Sequence, residues 1–260
     1  MQQANTAQAK ELEKKKQNLP QAIDLEGAAG EGQEFITAKD TKLPILKILY
    51  ANSPVLNDDD GKYIERAKQG DIYNEVTGSL WKGKEGIIVV PCLYYNTFNE
   101  WKDRGDGPGR PVKIHTDPAI MSETSRGEDN KDRLPNGNYL ENTANHYVIL
   151  LGKTPTTALI SMKATQLKVS RKWNSMMMGI KLQGKDGLFT PPTYSHIYKL
   201  KTVQMSNDKG TWFGWDVSKI GPVTDKSIYE IAKTFAARVG KGEIQAKPEA
   251  DEAKRKTLSL

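Results

Sequence analysis

Apolar side chains in this chain come in short runs, and the period of each run says what it builds. Residues 43–50, LPILKILY, read as a buried strand, with periodicity alone leaving a short helix open. Residues 51–85 are polar, and their NDDDG and VTGS signals mark turns. Residues 86–101, GIIVVPCLYYNTFNEW, begin as a continuous apolar run and end in alternation, as a strand does that enters a core and emerges from it. Pro91 removes a ladder donor, so this strand is expected to bend there or to lie at an edge. Residues 102–145 carry no comparable pattern and read as one long loop, a length that points to function or disorder. Residues 146–151 and 157–162, separated by GKTPT, form a hairpin. Val169, Trp173, Met176, Met177 and Ile180 then fall on one stripe at helical spacing, so a helix follows, ended by Gly179 or Gly184. Residues 194–205 and 211–217 form a second hairpin through SNDKG, with Lys199 and Lys201 on one face and Tyr198 and Leu200 on the other. A last helix is capped by Thr224 or Asp225, buries Ile228, Ile231, Ala232, Phe235 and Val239, and stops at Gly240.

From residue 86 the order is therefore strand, long loop, strand, strand, helix, strand, strand, helix. That predicts a mainly β chain with helices, an α+β class, arranged as an OB-like five-stranded barrel with one helix between its third and fourth strands and a second helix at the C-terminal end. A single domain spans residues 35–243. It is flanked by an arm at 1–34 and a charged tail at 244–260, whose polar composition buries too little to offset the entropy of ordering, so both are expected to be disordered.

Charge changes the picture more than composition does. The chain carries a formal +6, with 37% apolar and 27% charged residues, which favours anionic partners. Within residues 160–202, eight cations, Lys163, Lys168, Arg171, Lys172, Lys181, Lys185, Lys199 and Lys201, face one carboxylate, Asp186, a local +7. Trp173, Tyr194, Tyr198, Trp212, Phe213 and Trp215 are threaded through and just beyond that stretch. Cations for phosphate and rings for bases are what a single-stranded nucleic acid needs. A lone cysteine, Cys92, excludes an internal disulfide and a cysteine zinc site, and no apolar run is long enough to span a bilayer. The first residues lack the apolar core of a signal peptide, so an intracellular, reducing compartment is expected, without membrane association.

Catalytic chemistry finds little to work with. NDDDG with Gly61 as a calcium-loop glycine would put Leu56 and Ala67 at the first and last ligand positions, which cannot ligate. Gly179, Gly184 and Lys185 fit a phosphate-loop spacing, but Asp186 stands where a magnesium-binding hydroxyl is required. His115, His146 and His196 are scattered, and Cys92 sits in an apolar strand. No catalytic residue, metal or cofactor is expected, and the protein is read as a non-enzyme. The binding residues expected are Lys168, Arg171, Lys172, Lys199 and Lys201, with Lys102, Arg104, Arg110 and Lys113 from the long loop, for phosphates. Trp212, Trp215, Tyr198, Tyr94 and Tyr95 are the stacking candidates, with Trp212 expected to point out and Trp215 in.

Residues 70–104, GDIYNEVTGSLWKGKEGIIVVPCLYYNTFNEWKDR, combine a G-D-I-Y-N-x-V-T-G opening, an apolar strand ending in Val-Pro, and an aromatic-rich exit to Trp and Lys/Arg. This stretch resembles a pattern of bacteriophage single-stranded DNA-binding proteins. The resemblance implies an OB-type domain that coats single strands in phage replication and recombination in the host cytoplasm. It implies as partners single-stranded DNA, phage or host replication proteins, and a second copy of the chain in a homodimer. The family's acidic tail with a terminal aromatic has no counterpart in AKRKTLSL, so tail-mediated recruitment is not expected. A strand-annealing recombination protein and a virion structural or internal protein are the alternatives.

Overall fold

The computed structural model describes residues 27–37, 40–103, 105–107, 109–208 and 210–244. Its backbone divides into two units, Met1–Thr41 and Lys42–Leu260. The described part of the first is turns and bends. The second is mainly β with two helices. Its strands are β1 (Leu46–Ile48), β2 (Ile72–Asn74), β3 (Leu80–Trp81), β4 (Ile87–Trp101), β5 (Lys113–His115), β6 (Ser125–Arg126), β7 (Asp132–Arg133), β8 (Tyr139–Leu151), β9 (Thr156–Lys163), β10 (Leu182–Gly184), β11 (Gly187–Phe189), β12 (His196–Asn207) and β13 (Gly210–Pro222). Helix α1 is Leu167–Met178 and α2 is Lys226–Gly240. No helix among the described residues is long and apolar enough to cross a membrane.

One curled antiparallel sheet, a half-barrel, carries the architecture. It has eight strands where five were expected, in the order β13-β12-β4-β8-β7-β6, with β5 on β4 and β9 on β8. The surplus is β5, β6 and β7, all inside residues 102–145. That stretch is therefore no structureless loop. The Lys131 ammonium and Arg133 guanidinium bond the Asp103 carboxylate at 2.8 and 2.9 Å, and Arg133 also reaches Asp129 at 2.6 Å. The Arg133 and Lys131 bonds hold the Asp103 carboxyl down to about 2.

Alternation along the long strands makes two main cores, and Phe98, Leu134 and Leu140 form a smaller third cluster. On one side Ile87, Val89, Val148, Ile160, Leu200 and Val217 pack with Trp173 and Met177 of α1. On the other Val90, Cys92, Tyr147 and Ile149 pack with Ala232, Phe235 and Val239 of α2. Pro91 acts as expected: β4 bends, and its register against β8 shifts between Pro91 and Leu93. Cys92 occupies that irregularity, and burial pushes its thiol up to about 12, which makes it an inert filler. Asp225 caps α2 by accepting from the Ser227 and Ile228 amides. Ile231 departs from the expected stripe; it is exposed, and Ala236 is buried in its place.

The polar segment before β4 is a dock for the sheet edge. β1, β2 and β3 form a small antiparallel sheet, and the Leu159 amide of β9 donates to Pro44 at 2.8 Å. Gly70 has φ +87° and lies against the Phe213 ring, where a Cβ would sit 2.6 Å from it. The Thr202 hydroxyl donates to the Gly70 carbonyl at 2.6 Å, and the buried Asp71 carboxylate accepts from Lys82 at 2.8 Å. Asn74 Oδ1 accepts from the Val76 and Thr77 amides, which folds the turn that follows. The GDIYN segment thus fixes the β2–β3 turn and its seat on β12.

Candidate nucleic-acid interface

The site begins where β9 hands over to α1. Ala164 takes a left-handed conformation, φ 48°, which a side chain disfavours, and a 3-10 turn over Ala164–Gln166 leads into the helix. Gln166 holds that turn in place. Its Oε1 accepts from the Trp215 amide at 2.7 Å, and its Nε2 lies 3.8 Å from Met205 Sδ. Gly214 makes this approach possible, since a Cβ there would fall 2.3 Å from Gln166 Nε2. With α1 so tethered to β12 and β13, its first turns present Lys168 and Arg171 beside Trp212. Those three line one depression of about 320 Å³, together with Met205 and Ser206. Trp212 is half-buried, and its enclosed indole N–H has no hydrogen-bond partner among the described residues.

Charge around this depression is lower than the sequence suggests. Lys172 of α1 and Lys201 of β12 both reach Asp216 of β13, at 3.1 and 3.7 Å, and Lys163 pairs with Glu141 at 3.0 Å. Counting these partners, the eight cations meet three carboxylates, a net +5. Lys168, Arg171 and Lys199 have no ion-pair partner among the described residues. Lys199 and Lys201 share a face by alternation, and the register places Lys201 opposite Asp216 and Lys199 opposite Ser218. Lys168 and Arg171 thus meet Trp212 at the depression, Lys172 and Lys201 meet at Asp216, and Lys199 lies two residues before Lys201 along β12.

Beyond Trp212 the depression opens into a groove of about 1000 Å³, which shares Ala164, Thr165 and Trp212 with it. Its floor is a hydrogen-bonded ladder across β4, β8 and β9. Asn145 Nδ2 donates to Thr97 at 3.0 Å, Ser161 donates to Asn145 Oδ1 at 2.8 Å, and Asn99 Nδ2 donates to Thr143 at 3.2 Å. None of these was singled out from sequence, because isolated Asn, Thr and Ser in strands signal nothing until register aligns them.

Other expected contacts fall elsewhere. Tyr198 is 0% exposed and Trp215 4%, so neither has a ring face to offer a base, and both are corrected to core residues. Trp215 does point inward, and the half-buried Trp212 lines the depression. Tyr94 is half-buried, with its ring 4.9 Å from that of His146 and its hydroxyl donating to Asn96 at 2.8 Å. Tyr95 lies on the α2 side, stacked on Tyr147 with their hydroxyls 2.7 Å apart, and its ring also lines the groove. Lys102, Arg110 and Lys113 are exposed on and around β5, and Arg104 lies outside the described residues. His115 of β5 bonds the buried Glu100 carboxylate at 2.8 Å; burial would raise that acid, but bonds from Asn138, His115 and Asn136 hold it below its ordinary value. Among the described residues no group of His, Cys, Asp or Glu could hold a metal ion.

The family described as Pam3 phage gp34-like protein matches residues 13–245, and the chain belongs to it, which places it among bacteriophage proteins. No curated protein and no solved structure matches the chain.

Proposed function

We propose that this member of the Pam3 phage gp34-like family binds single-stranded DNA with little sequence preference, in phage replication or recombination. The observation that carries the reading is the convergence of Lys168 and Arg171 with Trp212 on one open depression, with Lys172 and Lys201 meeting at Asp216 farther along the same elements. The cations would neutralise phosphates, and the indole would supply a stacking surface that accepts any base. Fold wiring supports it. The five longest strands pair in the order β13-β12-β4-β8-β9, with α1 between the third and fourth in chain order. Its first four strands lie in Greek-key order, 4-1-2-3, the wiring of a partly open five-stranded barrel of OB type. β1 lies along β9, on the side where such a barrel would close.

Fluorescence anisotropy with labelled oligo-dT and a duplex of equal length, at low and moderate salt, tests the proposal. Single strands should bind more tightly than duplex, with log affinity falling by about 0.7 per released counterion against log salt. Trp212→Ala should weaken binding by about 1–3 kcal/mol while leaving the salt slope unchanged, and Lys168→Ala with Arg171→Ala should flatten that slope. Equal binding to both forms, or none, overturns the proposal and favours a virion role.

A further inference from the structure

The chain passes from the last turn of α1 straight into a hairpin absent from the sequence reading, β10 and β11 joined by Lys185 and Asp186. Gly187, the first residue after the turn, has φ +117°, a conformation that glycine adopts and side chains rarely do. The register sets Leu182 opposite Phe189 and Gly184 opposite Gly187, so these four share one face. Phe189 lies across Gly184, where a Cβ would sit 3.1 Å from the ring. One face of the ring thus rests on glycine while the residue stays 47% exposed. Leu188 on the other face is 71% exposed, and Met178 just before the hairpin 66%.

Apolar side chains this open, on so small an element, are a contact surface awaiting a partner. Charge selects the partner. Lys181 and Lys185 stand at the two ends of β10, Lys181 bonded to Thr190 on the Leu188 face, and Asp186 is the one carboxylate in the hairpin. The exposed residues of α1, Lys168, Arg171, Lys172, Ser175 and Met178, run as a tract of about 15 Å from the Trp212 depression to this hairpin. An anionic strand with unpaired bases fits cations and an open ring alike, whereas a purely apolar partner would leave the lysines without a role.

We infer that the β10–β11 hairpin is a second base-stacking element, in which Phe189 takes a base of a single strand already engaged at Trp212, with Lys181 and Lys185 on its phosphates. The inference rests on the single-strand reading above. It lengthens the site from one ring to two, at opposite ends of α1.

Anisotropy titrations with oligo-dT of about 3 and about 20 nucleotides separate the two ends, because about three nucleotides at about 3.4 Å each fall short of the tract along α1 and about 20 exceed it. Phe189→Ala should weaken binding of the longer oligonucleotide about tenfold and leave the shorter unchanged, a loss within the range of one stacked base. Phe189→Trp should restore wild-type affinity. If wild type binds both oligonucleotides but Phe189→Ala matches it on both, the hairpin proposal is overturned while the single-strand reading stands. If wild type binds neither, the parent reading itself has failed and the hairpin proposal falls with it.

Discussion

His146 makes the stability of this protein sensitive to mild acid, by an amount the structure lets one work out. It is 1% exposed in β8, its ring stacked 4.4 Å from Trp173, and its Nε2 bonded to the Ser170 hydroxyl at 2.8 Å. Its Nδ1 has no hydrogen-bond partner among the described residues, so none of them rewards a second proton. Burial lowers its pKa from 6.5 to about 3. Below pH 6.5 the unfolded chain therefore binds a proton that the native state refuses, and stability falls as pH drops from 6.5 towards 3. At pH 5 the gap between unfolded pKa and pH gives a loss of about 2 kcal/mol relative to pH 7.5, a large share of an ordinary folding free energy. Carboxylates contribute little there, because the ordinary values of Asp103 and Glu100, 3.8 and 4.5, lie below this window. His196 is also lowered, by burial first, and acts in the same direction, so a variant must isolate His146. His146→Phe with Ser170→Ala keeps a ring against Trp173 and leaves no hydroxyl unpaired. Urea unfolding at the two pH values should show the pH-dependent loss shrinking by about 2 kcal/mol in this variant. An equal loss in variant and wild type would refute the reasoning.

Two further substitutions probe how the interface is held. Gly214→Ala forces a Cβ against Gln166 and Met205, at 2.3 and 2.6 Å, and should cost about 1–3 kcal/mol in urea unfolding while weakening oligo-dT binding through displacement of α1. An unchanged midpoint would mean that Gln166 does not hold the helix start. Asp216→Ala releases Lys172 and Lys201 and should tighten binding, steepening the log-log salt slope by up to about 1.4, with stability within about 1 kcal/mol of wild type because the pairs are exposed. Unchanged salt dependence would place those lysines off the strand's path.

Periodicity was enough to find the long elements. β4, both long hairpins and the two helices appear close to where alternation and helical spacing put them, because each buries one side over eight or more residues. The short elements were illegible for the converse reason. β5, β6 and β7 are two or three residues each and are held by side-chain ion pairs and by pairing of β5 to β4, β7 to β8 and β6 to β7, which no local pattern announces. The same holds for β10–β11, whose Gly-Lys-Asp-Gly turn was read as a helix stop and a failed phosphate loop.

The interface was legible as composition and hidden as geometry. Counting lysines located the stretch, yet Asp216, fourteen residues beyond its last residue, pairs with Lys201 through strand register and with Lys172 across from α1. Aromatic count overstated the surface in the same way. Tyr198 and Trp173 sit 5.8 Å apart inside the first core, filling the curl of the sheet that gives Trp212 its place at the rim. A half-barrel lined by small side chains would collapse, so most rings must go inward before any can face out. Gly214, a glycine between Phe213 and Trp215 in a strand, was not read as a signal, since a strand glycine marks a bulge, a bend or a close approach alike, and the structure shows it to be a close approach. The approaching group is Gln166. It ties the cationic helix to the aromatic strand and so turns two separate sequence signals into one surface.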